Sequence, residues 1–147
     1  MEKERIRTLN EIILICKREL LELCKDKDSS LLLFISSATN RDFIDITSKS
    51  RKTDLVIIRY LFIVIAYAAF KTPIKVSGPI VSLTRLTGYN AFRQVLTWWK
   101  FNDAKLACYF SLIFDMEEID TYITKQHFTE KLNEWSKNYY RDGQLPF

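Results

Sequence analysis

The apolar run over residues 55–70, broken by one charge at Arg59, limits what this chain can fold into. It contains no proline or glycine and is apolar nearly all the way round, the pattern of a helix buried on most faces. Residues 47–54 precede it as a short polar turn carrying Lys49, Arg51 and Lys52. Asp54, near the predicted helix start, favours the positive end of the helix dipole. A deep helix with cations at its mouth suits an anionic partner such as a phosphate backbone. The run includes Arg59 and falls short of the roughly 18–20 residues a bilayer span needs, so a membrane helix is not expected.

A chain of 147 residues that is 48% hydrophobic has ample material for one core. Three glycines and three prolines leave little for a turn-rich β fold. The expectation is therefore all-α: a compact helical domain with amphipathic helices at both ends. Residues 1–28 read as an N-terminal amphipathic helix, 29–116 as the core, and 117–147 as a C-terminal helix with a loose tail.

Charge is unevenly placed. Residues 71–105 carry six cations against Asp103 alone, whereas residues 106–147 carry four cations and seven anions. A basic middle beside an acidic end points to an anionic partner for the middle, although an ordinary solvated face gives the same bias. The cysteines, Cys16, Cys24 and Cys108, are odd in number and fit no metal spacing, so a reduced, cytoplasmic chain is expected. The first residues lack the apolar core of a signal peptide.

In chain order, Ile6, Leu9, Ile13, Cys16, Leu20 and Leu23 recur three or four apart, giving a narrow helical stripe. That stripe can dock on the domain or zip to a second copy. Lys25 to Ser30 then read as a break, with Ser29 or Ser30 capping a short helix over 31–36. Residues 71–79, with two prolines and a glycine, read as a loop. Pro79 suits a first helical position. A short helix over 79–87, with Ile80, Leu83 and Leu86 inward, would close at Gly88. A second helix from Asn90 to about Phe101 completes a helix-turn-helix outline. Further helices are expected over 103–114 and, after an acidic turn at 115–120, to about Tyr140.

No catalytic set emerges, and no cofactor or metal is expected. His127, the one histidine, has no cysteine near it in sequence, and the three glycines are too scattered to cradle a phosphate. The acidic residues at 115–120 lack the glycine and terminal glutamate of a calcium loop. The positive candidate is the second helix. Recognition helices present N-terminal side chains to base edges, and Asn90, Arg93, Gln94 and Thr97 are of suitable types, with Lys100 and Lys105 toward phosphates.

Residues 45–60, Asp-Ile-Thr-Ser-Lys-Ser-Arg-Lys-Thr-Asp-Leu-Val-Ile-Ile-Arg-Tyr, resemble the opening of the C-terminal DNA-binding domain of the bacterial replication initiator DnaA. The resemblance implies a Trp-repressor-like helix-turn-helix whose basic loop, here Lys49, Arg51 and Lys52, sends Arg51 into the minor groove. Residues 88–100 would then correspond to the recognition helix. The family's histidine falls on Phe92, its Ser/Thr pair falls on Arg93 and Gln94, and the connecting segment is longer. These departures point to a divergent relative, of phage or mobile-element type, with another DNA target. Duplex DNA is thus the expected partner. The rival is a protein-interaction module that kept the fold and meets its partner through Phe92, Trp98 or Trp99. The 144–147 tail loosely resembles sliding-clamp-binding peptides, although idle tails are commoner.

Overall fold

A computed structural model describes residues 8–13, 15 and 26–147. Among these, every regular element is helical. Seven α-helices fill 26–147: α1 Lys27–Thr39, α2 Phe43–Thr47, α3 Thr53–Phe70, α4 Ile74–Ile80, α5 Arg85–Lys100, α6 Ala104–Phe114 and α7 Lys125–Asp142. A 3-10 turn, Glu117–Thr121, joins the last two. Most of the predicted N-terminal stripe, including Ile6, Cys16, Leu20 and Leu23, lies outside the described residues. Its described members, Leu9 and Ile13, are exposed.

The hub is α3. Ten of its eighteen residues are buried, and it packs against each of the other six helices. By length and composition alone this helix could cross a bilayer, but those buried faces are covered by the fold. Two aromatic groups thicken the core on either side. Phe110, Phe114 and Phe128 stack with centroids 4.6 and 4.8 Å apart. Phe92 meets Tyr67 and Trp135 at 5.8 and 5.5 Å.

Helix α1 starts earlier than the sequence reading places it. The Asp26 carboxylate accepts the Asp28 amide at 3.2 Å, so Asp26 rather than Ser29 or Ser30 is the cap. The charged stretch forms the first turn, and Asp28 is buried there, accepting a hydrogen bond from the Thr72 hydroxyl at 2.8 Å. Burial pushes the Asp28 carboxyl up, against the Thr72 bond that holds it down.

The larger correction concerns residues 71–88. Pro73 stands at the N-cap of α4, and Gly78 and Pro79 fall in its last turn rather than in a loop or at a helix start. The four-residue turn 81–84 leads directly into α5, capped by Thr84, whose hydroxyl oxygen accepts the Thr87 amide at 3.2 Å. Gly88 therefore sits inside α5 and caps nothing. Its work is close approach: a Cβ there would lie 2.3 Å from Cγ2 of Ile74, so α4 and α5 touch through a gap that only glycine leaves. Leu86, expected inward, is 70% exposed.

The tail is packed rather than loose. Gly143 takes a left-handed cap after α7 (φ 68°). The Tyr67 hydroxyl then donates to the Pro146 carbonyl at 3.0 Å, and the Phe147 ring lies 5.2–5.4 Å from those of Phe92, Tyr89 and Tyr67.

Candidate nucleic-acid interface

The basic loop, residues 48–52, alternates side chains inward and outward. The Ser48 hydroxyl donates to the Asp45 carbonyl at 2.7 Å and accepts the Ser50 amide at 3.2 Å; the Ser50 hydroxyl accepts the Lys52 amide at 3.4 Å. With the serines turned in, Lys49, Arg51 and Lys52 are exposed. Short hydroxyls bonding to neighbouring backbone stabilise such turns without a regular element.

Beneath the loop lies Arg59, 4% exposed. Its guanidinium donates to the carbonyls of Ile46 (2.6 Å), Asp45 (2.9 Å) and Ser50, and reaches the Ser48 hydroxyl at 3.4 Å. Burial pushes its pKa down from the ordinary arginine range. Arginine nevertheless stays charged at neutral pH. The charge that interrupts the apolar run is thus the fastening between the central helix and the loop.

A second fastening joins the start of the loop to the α4–α5 turn. Ser82, in a left-handed conformation (φ 60°) at the α4–α5 turn, donates its hydroxyl to the Thr47 carbonyl. Between the two lies an open cavity of about 530 Å³. Ser48, Lys49, Ser50 and Arg51 form one wall, Ser82, Leu83, Thr84 and Thr87 the other, and Val56, Arg59 and Tyr60 the base. Its lining holds three cations and no carboxylate. The first amides of α5 have no intrahelical partner, and the positive end of its dipole lies at the same edge.

At about 100° per residue, Asn90, Arg93, Thr97 and Lys100 fall along one side of α5. Asn90, Arg93 and Lys100 are exposed, and Gln94 and Thr97 are half-buried. They are not the first turn, however. That turn is Arg85, Leu86 and Thr87, five residues earlier than predicted. Within the stripe, Arg93 donates to the Asn90 side-chain oxygen at 3.1 Å. The far end is engaged by α7: Tyr140 donates to the Thr97 hydroxyl at 3.0 Å, and the Lys100 ammonium lies 3.6 Å from the Tyr140 ring centroid. Arg85 approaches Tyr89, its Nη2 3.3 Å from the hydroxyl oxygen. The signal for this earlier start was Thr84, a good cap three residues before Thr87, masked by reading Gly88 as a stop.

The residues singled out as a protein-contact face are mostly committed elsewhere. Phe92 is fully buried among aromatic rings, which removes it from any surface. Trp98 stacks on Tyr60 at 5.8 Å. Trp99 donates its indole N–H to Asn133 at 2.8 Å and packs on Phe110. Asp54 pairs with Arg41 at 3.2 Å, and its carboxyl is held below the usual range by the Tyr109 hydroxyl and by Arg41. Among the described residues, no cluster of three or more histidine, cysteine or acidic side chains is arranged to hold a metal.

Comparison with protein-family models, curated proteins and solved structures gave no match.

Proposed function

We propose that this chain is a non-catalytic binder of duplex DNA, a divergent relative of the DnaA C-terminal domain. The observation that carries the reading is the cavity between the basic loop and the start of α5, lined by three cations and no acid. Lys49, Arg51 and Lys52 would neutralise phosphates along one edge of the duplex and reach its minor groove. Helix α5 would enter the adjacent major groove with its exposed N-terminal half. The register of that helix moves the expected base contacts toward Arg85, Asn90 and Arg93, with Gln94 at the edge. Thr97 and Lys100, already engaged by Tyr140, fit a supporting role better. The sequence of residues 45–60 supports the same assignment. Burial of Phe92 leaves the protein-interaction alternative without its leading residue.

The test is fluorescence anisotropy of a labelled duplex across a salt series, using an initiator-box sequence and a scrambled one. Wild type should weaken steeply with salt. Losing one phosphate contact in Arg51→Ala should lower the slope of log K against log salt by about 1. An unchanged slope would remove Arg51 from the interface, and no binding at low salt would remove DNA.

A further inference from the structure

We infer that Arg59 is a positioning residue that sets the shape of the basic loop before any partner arrives; as a statement about DNA affinity, this rests on the reading above. Three of its contacts are to main-chain carbonyls of residues 45, 46 and 50, and the fourth is to the Ser48 hydroxyl. These contacts span the end of α2 and the first half of the loop. Ser48 is the shared node, bonded at once to Arg59, to the Asp45 carbonyl and to the Ser50 amide. That node fixes which way the alternating side chains turn. The Ser48 hydroxyl and the Ser50 carbonyl are drawn toward the guanidinium, while Lys49 and Arg51 face out.

The choice of an arginine follows from the geometry. Only a planar fork with donors on three nitrogens can meet carbonyls from two sides of a turn at once. A lysine also has three donors, but all on one nitrogen, which cannot occupy the separate positions from which Nε, Nη1 and Nη2 reach Ile46, Ser50 and Asp45. Among the described residues no carboxylate pairs with Arg59, so its charge is met by carbonyl dipoles and adds to the positive field of the cavity it lines. A loop held this way is already in its binding conformation and avoids the ordering cost that a mobile basic segment incurs on association.

The experiment has two arms, applied to wild type, Arg59→Lys, Arg51→Ala and the double variant. Hydrogen–deuterium exchange reads the loop without DNA. In Arg59→Lys, amides of residues 47–52 should exchange about tenfold faster while the buried half of α3 stays protected. Anisotropy with a labelled duplex reads the consequence. Arg59→Lys should weaken binding about tenfold in the wild-type background and much less beside Arg51→Ala, because a loop without its key cation has less to lose from misplacement. The half-buried pair Ser48→Ala with Ser50→Ala, which lies outside the hydrophobic core, should reproduce the loop exchange in part. Unchanged exchange at 47–52 overturns the inference. So does an equal loss of affinity in both backgrounds, which would mean that Arg59 acts away from the loop. A wild type that binds no duplex overturns the DNA reading, and loop exchange then decides the role of Arg59 alone.

Discussion

Gly88→Ala is the substitution whose outcome separates this fold from the one a sequence reading gives. In an exposed or loosely packed helix, replacing glycine with alanine stabilises by about 1 kcal/mol. At Gly88 the new Cβ would lie 2.3 Å from Cγ2 of Ile74. Carbon atoms pack best at about 3.5–4.0 Å, so well over 1 Å must be found. Ile74 is branched at Cβ and 3% exposed: one alternative χ1 rotamer swaps Cγ2 for Cγ1, and the other, which turns Hβ to the gap, must re-seat both branches in the packed core against the narrow χ1 preference of a helical isoleucine. The remaining route is to push α4 away from α5, and such overpacking costs about 1–3 kcal/mol. The balance is a net loss of up to about 2 kcal/mol in place of a gain. Removing the obstacle reverses the sign. Ile74→Ala alone should cost about 2–5 kcal/mol, and Gly88→Ala added to it should now stabilise by up to about 1 kcal/mol. Urea unfolding followed by circular dichroism, with constant m-values, gives all four corners of the cycle. A stabilising Gly88→Ala in the wild-type background, or an identical effect in both, would refute the close α4–α5 contact.

Other expectations follow from single contacts. Asp28 is buried with its carboxyl pushed up, so the folded state holds that proton more tightly than the unfolded one. Stability from this group therefore falls as pH rises from the unfolded carboxylate value toward the higher folded one. Asp28→Asn, which keeps an acceptor for Thr72, should be more stable than wild type at pH 7, and the difference should close below about pH 4. A variant less stable at pH 7 that recovers on acidification would mean that the charge itself is stabilising. Asp54 has the opposite sign: its lowered carboxyl contributes above the unfolded value and loses that contribution as pH falls through the folded one. Phe147→Ala should destabilise by about 1–3 kcal/mol through lost aromatic packing. No change in urea midpoint would mean that the tail contributes nothing to the fold.

The sequence announced α3 clearly, because an uninterrupted apolar run admits little but a buried helix. It also announced α6 and α7, whose apolar residues keep helical spacing. It misdirected at residues 71–88 for a physical reason. Proline and glycine usually punctuate, but here Pro73 opens a helix, Gly78 lies close under the Leu83 carbonyl, and Gly88 is needed for close packing against Ile74. Those neighbours cannot be read from local pattern. Arg59 was visible as an interruption, yet three of its four partners are main-chain carbonyls, which leave no mark in residue type. The contacts of Phe147 with Tyr67 and Tyr89 join distant parts of the chain and carry no periodic signal. Lys49, Arg51 and Lys52 were legible as a cluster; that Lys49 and Arg51 share a cavity with the start of α5 was not.

The most direct test of the central claim is a map of backbone amide NMR shifts as a short duplex is added. Perturbations should concentrate at residues 48–52, 82–87 and 89–94, with α6 and most of α7 little changed. Perturbations centred on α6 or α7, with the basic loop and the start of α5 silent, would contradict that claim.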